Sequence, residues 1–121
     1  MIEYEYEYYG EKDKSAIRCY VKEFEDERTG KERGKIIYFL NLLKQKGPTL
    51  DDRYAEKLND EIYELKPRHW NTEMRMFYFW EGRKAIFVHA IVKKKQKTPA
   101  GDIDLADTRR KRYLKAKQAQ K

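Results

Sequence analysis

Cys19 is the chain's single cysteine, so no disulfide can close within it. With two histidines, His69 and His89, and that one thiol, the sequence has no zinc-type Cys/His spacing. It also lacks a glycine-rich phosphate loop, a His-Glu-x-x-His pair, and a serine or cysteine placed with histidine as a nucleophilic dyad. Its acidic residues do not fall at the spacing of a metal cage. These absences exclude P-loop nucleotide chemistry and zinc hydrolysis, and a protein that works without metal or small-molecule cofactor is expected. No apolar run reaches the roughly 18 residues that a spanning helix needs. The opening "MIEYEYEYYG" lacks the basic start and apolar centre of a secretory signal. The expectation is a cytoplasmic protein with no membrane association.

What is present is charge and aromatic character. Charged residues make up 40% of the 121, and hydrophobic residues another 40%, arranged in periodic blocks that argue for a folded chain. The length suits a single domain over residues 1–121. The net charge of +7 is unevenly placed. Residues 1–90 hold 17 Lys and Arg against 18 Asp and Glu, whereas residues 91–121 hold 11 against 3. The basic excess is therefore a local site or tail, which points to a polyanionic partner.

"IEYEYEY" alternates strictly, with Ile2, Tyr4, Tyr6 and Tyr8 on one face, and "AIRCYVKEF" (16–24) alternates too. Joined by "GEKDKS", they predict an antiparallel hairpin, with residues 1–15 as an extra N-terminal strand. "KIIYFLNLLKQKG" (35–47) has the apolar spacing of an amphipathic helix closed by Gly47, and "TLDDRYAEKL" (49–58) predicts a second helix capped by Thr49. "EIYELK" (61–66), "RMFYFW" (75–80) and "AIFVHAIV" (85–92) predict a three-stranded meander. The last of these is apolar on both faces, which suggests a central strand. Thr98 and Pro99 open a C-terminal helix with a stripe of Ile103, Ala106, Tyr113 and Leu114, leaving the arginines of "DTRRKRY" toward solvent and residues 116–121 as a frayed tail. The order β-β-α-α-β-β-β-α describes an α+β fold with a small antiparallel sheet, two helices in the N-terminal half and one at the C-terminus.

If the three strands pair antiparallel in sequence order, the end of the first, the start of the second and the end of the third meet at one edge. Lys66, Arg75 and the lysines 93, 94, 95 and 97 then share a rim. Arg68, His69 and Trp70 lie in the turn between the first two strands, where Trp70 could stack on an unpaired base. RNA supplies its own nucleophile, the 2′-hydroxyl. Cleaving it needs a base, charge stabilisation at the phosphate and a proton for the leaving oxygen, and a crowded lysine is a candidate for base or acid. His89, among apolar neighbours, reads as a satisfied core histidine, and residues 109–112 as a solvated basic helix face.

The ordered set "YELK" (63–66), "RMFYF" (75–79) and "IVKKKQKTP" (91–99) resembles the signature half of the RelE/HigB toxin superfamily in its phage-derived HigB-like branch, over roughly residues 35–115. The resemblance implies a RelE-like fold and the toxin of a type II toxin–antitoxin pair. It implies a ribosome-dependent mRNA endonuclease, neutralised by a small antitoxin that often carries a helix-turn-helix. Its catalytic positions would be Arg75 at the transition-state phosphate and Lys94 as a second basic residue, with Lys97 assisting. Lys66, standing where the family usually has arginine, would bind substrate with Arg68, His69, Trp70, Lys93 and Lys95. Two other readings remain open: a non-catalytic RNA- or DNA-binding module using the same rim, and an inactive phage-derived relic.

Overall fold

The computed structural model describes residues 3–94 and 97–119. Its strands are β1 (Glu5–Tyr8), β2 (Glu11–Asp13), β3 (Ala16–Arg18), β4 (Ala55–Lys57), β5 (Tyr63–Leu65), β6 (Arg68–His69), β7 (Thr72–Glu81) and β8 (Lys84–Val92). Its helices are α1 (Tyr20–Asp26), α2 (Gly30–Lys46) and α3 (Ala100–Ala119). The main sheet runs β1-β8-β7-β5-β4, with β6 added to the start of β7, while β2 and β3 form a separate small hairpin. The α+β class and the β5-β7-β8 meander match the sequence reading, except that the sheet is mixed because β1 lies parallel to β8.

Alternation along β7 divides the core. Met74, Met76 and Tyr78 pack with Val21 of α1 and Ile36, Leu40 and Leu43 of α2 on one face. Phe77 and Phe79 pack with Ile62 and Ala106 on the other, where Ile103, Tyr113 and Leu114 of α3 close the layer. β8 supplies Ala85 and Phe87 to the first cluster and Ile86 and Val88 to the second, so its two apolar faces do mark a strand covered on both sides. Each fully buried side chain of this size contributes about 1.5–3 kcal/mol.

Two elements differ from expectation. The 16–24 strand ends at Arg18, and Tyr20–Asp26 is helical. In that segment Val21 and Phe24, three apart, both pack on the core, and Lys22 pairs with Asp26 at 3.1 Å across one turn. β1 consequently pairs with β8, where Tyr6 and Tyr8 meet the Phe87 ring and Tyr4 meets Trp80. The expected 49–58 helix is replaced by a 3₁₀ turn at Gly47–Thr49 and by β4. The Thr49 hydroxyl donates to the Lys46 carbonyl at 2.7 Å instead of capping a new helix. The Asp51 carboxylate accepts the Arg53 N–H at 2.9 Å, a local turn that competes with helix, and Ala55–Lys57 then pairs with β5.

α2 also begins earlier than read, because Thr29 and Glu32 form a reciprocal capping box. Gly47 ends it at φ 55°, and a Cβ there would sit 2.4 Å from the Tyr4 ring, so only glycine fits. The C-terminal stripe packs as expected, but Arg109 does not face solvent. It is buried against the Tyr20 ring, because its guanidinium serves a carbonyl of β8. α3 stays helical through Ala119, since Tyr113 and Lys117 both donate to the Glu81 carboxylate, at 2.9 and 2.6 Å. Ile2, Lys95 and the last two residues of the expected tail lie outside the described residues.

Candidate active site

β5 ends at Leu65, β7 begins at Thr72 and β8 ends at Val92, so antiparallel pairing brings these three termini to one edge of the sheet. The lead-in to α3 then crosses the same edge. Lys66, Arg75, Lys93 and Lys97 line one open pocket of about 330 Å³ there, with Glu56, Glu64 and Thr98 completing its polar lining.

Arg75 lies at the base of this pocket and is only 5% exposed. One guanidinium nitrogen, Nη1, donates to the Met74 carbonyl at 3.0 Å, and Nη2 reaches Glu73 Oε1 at 3.5 Å. Nε stands 3.5 Å from Glu64 Oε1, near enough for charge attraction but out of line for a hydrogen bond, so this buried donor has no acceptor. Glu64 is itself 3% exposed, and its other oxygen accepts the Thr98 hydroxyl at 2.9 Å. A buried carboxylate and guanidinium are tolerated together because each offsets the other's desolvation. At the mouth, Lys66 Nζ lies 3.5 Å from Glu56.

Of the residues singled out from sequence, four therefore meet in one pocket. Arg68, His69 and Trp70 do not join them. They line a second cleft with Lys35 of α2. Lys94, beside Lys93, is exposed, and Lys95 is outside the described residues. Sequence reasoning passed over Glu64, Glu73 and Thr98. The signal for Glu64 was present in "YELK", where strand alternation puts Glu64 and Lys66 on the side opposite Tyr63 and Leu65. Among the described residues, no group of three or more His, Cys, Asp or Glu side chains is placed to hold a metal ion.

His89 borders this region as a satisfied histidine. It stacks on Phe77 with ring centres 5.2 Å apart, and its Nε2 lies 2.8 Å from Asp102 in the first turn of α3. Its Nδ1 faces the Arg109 guanidinium at 3.5 Å, so Nδ1 accepts and Nε2 carries the proton given to Asp102. Burial pushes its pKa below the ordinary 6.5, with the Asp102 hydrogen bond opposing and Arg109 adding to the depression. The unfolded chain then binds the proton first, so stability is fully present above about pH 6.5 and falls as the pH drops below that value toward the folded pKa. Thermal melts between pH 5 and 7.5 are expected to show this decline, and His89→Gln should flatten it. An equal slope in the variant would remove His89 from the account.

An α+β fold with helices on both faces of a mostly antiparallel sheet, and a basic pocket at the strand ends, is of the RelE-like class. The family described as phage-derived protein Gp49-like (DUF891) matches residues 21–111. The chain belongs to this family, a HigB-like toxin family of the RelE superfamily. No curated protein matches the chain. Membership of a toxin family implies a cognate antitoxin. No helix among the described residues is long and apolar enough to cross a membrane.

Proposed function

We propose that the protein is an mRNA endoribonuclease of the cytoplasm that cuts translated messages on the ribosome, arrests growth, and is held in check by an antitoxin with a helix-turn-helix. The observation that carries the reading is the buried, unaccepted Nε–H of Arg75 at the base of a pocket rimmed by Lys66, Lys93 and Lys97. A donor that has charge attraction to Glu64 but no hydrogen-bond acceptor suits a phosphate oxygen, and the cost of the unmade bond in the free chain is recovered when that oxygen arrives.

In this reading the scissile phosphate enters the pocket and takes the Arg75 guanidinium, drawing it from Glu64. The carboxylate so released accepts the proton of the 2′-hydroxyl, which attacks the adjacent phosphorus. Arg75 and the rim lysines neutralise the charge that builds on the pentavalent phosphate. A lysine ammonium gives a proton to the departing 5′-oxygen, with Lys97 and Lys93 lining the pocket and Lys94 next to them. The P–O5′ bond breaks, leaving a 2′,3′-cyclic phosphate and a 5′-hydroxyl. Glu64 replaces a lysine as the candidate base, because its Oε1 stands 3.5 Å from the Arg75 guanidinium while Thr98 holds its other oxygen in place.

The test is induced expression in bacteria, with growth followed and mRNA 5′ ends mapped by primer extension. Growth arrest is expected, with new cuts inside translated codons and cyclic phosphate on the upstream fragments. Glu64→Gln should remove the cuts while keeping the Thr98 hydrogen bond and the fold. Normal growth and intact messages at full soluble expression would leave a non-cleaving RNA-binding module or a relic.

A further inference from the structure

The hairpin between β6 and β7 turns through Trp70 and Asn71, because His69 pairs with Thr72. Trp70 has φ of 55°, a conformation that glycine adopts freely and a bulky side chain only at a cost. The other end of β7 supplies a comparison within the same strand. There the Glu81–Lys84 pair closes a two-residue turn of Gly82 and Arg83, and the residue at φ 58° is glycine. One positive-φ turn position thus carries no side chain, and the other carries the largest. Packing does not repay the cost, since Trp70 is 82% exposed. Lys14 holds a similar conformation, φ 59°, in the β2–β3 turn, so what sets Trp70 apart is the exposed indole that its turn presents.

The surroundings of Trp70 indicate what it meets. Lys35, Arg68 and His69 share with it an open cleft of about 440 Å³. Arg68 Nε donates to the Trp70 carbonyl at 3.1 Å, bracing the turn, while its exposed Nη1 lies 3.8 Å from Glu73, a weak surface pair. An indole seated in a protein pocket would need apolar neighbours of its own, whereas here they are the cations Lys35 and Arg68 and the edge of the His69 ring, 6.3 Å away between centres. An exposed ring beside Lys35 and Arg68 suits an unpaired nucleobase with its flanking phosphates. Arg75 lies three residues into β7 from Thr72, at about 3.3 Å each, and Trp70 lies beyond Thr72 in the turn, so the two would contact different nucleotides.

We infer that Trp70, with Lys35 and Arg68, forms a second RNA subsite that stacks an unpaired base outside the cleavage pocket. The inference rests on the ribonuclease reading for its choice of strand, but binding is measured without cleavage. The full chain is titrated with a single-stranded RNA oligonucleotide and with an abasic oligonucleotide of equal length at fixed salt, following tryptophan emission and Kd. Base-bearing RNA is expected to quench emission. Trp70→Ala and Trp70→Gly should weaken its binding about 5- to 150-fold, Trp70→Phe much less, and none should change abasic binding. Trp70→Gly removes the backbone cost, so its unfolding midpoint should equal or exceed that of the wild type, which separates lost stacking from lost folding. Equal affinity of the wild type for the two oligonucleotides, or undiminished RNA binding by Trp70→Ala, overturns the subsite. So does a loss confined to a protein partner. Stacking without any cleavage of messages would instead keep the subsite and remove the ribonuclease reading.

Discussion

Replacing Arg75 by lysine is expected to slow message cleavage about 10²–10³-fold, with little change in RNA affinity and little loss of stability. Lysine keeps a positive charge near Glu64 and Glu73, which lie 3.5 Å from the guanidinium, so the buried carboxylate retains a counter-charge. What lysine cannot reproduce is the planar fork that holds Met74 and Glu73 with Nη1 and Nη2 while leaving Nε without a hydrogen-bond acceptor of its own. Arg75→Ala is the poorer experiment. It strands a 3%-exposed Glu64 without its partner, a change costing about 3–5 kcal/mol, and lost toxicity would then report unfolding. Urea unfolding of the lysine variant establishes that it folds, and single-turnover cleavage of ribosome-bound message gives the rate. A folded Arg75→Lys protein that cleaves at the wild-type rate would take Arg75 out of the chemistry. A variant that neither binds nor cleaves would make it a binding residue.

The convergence behind this prediction was legible because it depends on topology more than on packing. Three segments dense in aromatic and β-branched residues give strands with little ambiguity, and antiparallel order alone brings Lys66, Arg75, Lys93 and Lys97 to one edge. Their pairing partners were harder to read. Glu64 sits inside an apolar strand, and its role follows from the neighbouring strand and from Thr98, which is 34 residues away. The misread elements share another cause. In Tyr20–Asp26, helix and strand spacings overlap over a few residues, and contact with β8 decides in favour of helix. In 49–58 the Leu50 and Tyr54 spacing mimics a helix face, although both side chains reach the core from turns. The capping box of "TGKE" was a direct signal for the start of α2, obscured by Gly30 and Gly34, which lower helix propensity around it. Position 70 is a different case. Its sequence advertises an aromatic, but only the backbone shows that the aromatic occupies a turn position suited to glycine.

Arg109→Ala is expected to destabilise the fold by about 2–4 kcal/mol, a large effect for a residue whose sequence neighbourhood reads as a solvated face. The reason lies in a β-bulge. Phe77 pairs with His89 and Tyr78 with Phe87, so Val88 is an extra residue with no partner opposite. Arg109 Nη1 donates to its carbonyl at 2.9 Å, and the guanidinium carbon sits 3.7 Å from the centre of the Tyr20 ring. One side chain of α3 therefore holds the irregular point of β8 and the start of α1. Burial pushes the Arg109 pKa down, with Tyr20 and the Glu11 carboxylate opposing the depression, and the Val88 carbonyl accepts from the guanidinium directly. Truncation to alanine leaves the Val88 carbonyl unpaired and opens a cavity between α1 and α3. Urea unfolding measures the loss, and proteolysis within residues 20–26 should accelerate as α1 loosens. A double-mutant cycle with Tyr20→Ala isolates the ring contact and should give a coupling of about 1–2 kcal/mol. A loss under about 0.5 kcal/mol, or no coupling, would make Arg109 an ordinary surface cation. The same contact bears on activity, because Arg109 and the His89–Asp102 bond fix α3 against β8. They thereby set where Lys97 and Thr98 cross the pocket, so Arg109→Ala should also slow cleavage by more than the fraction of chains that unfold.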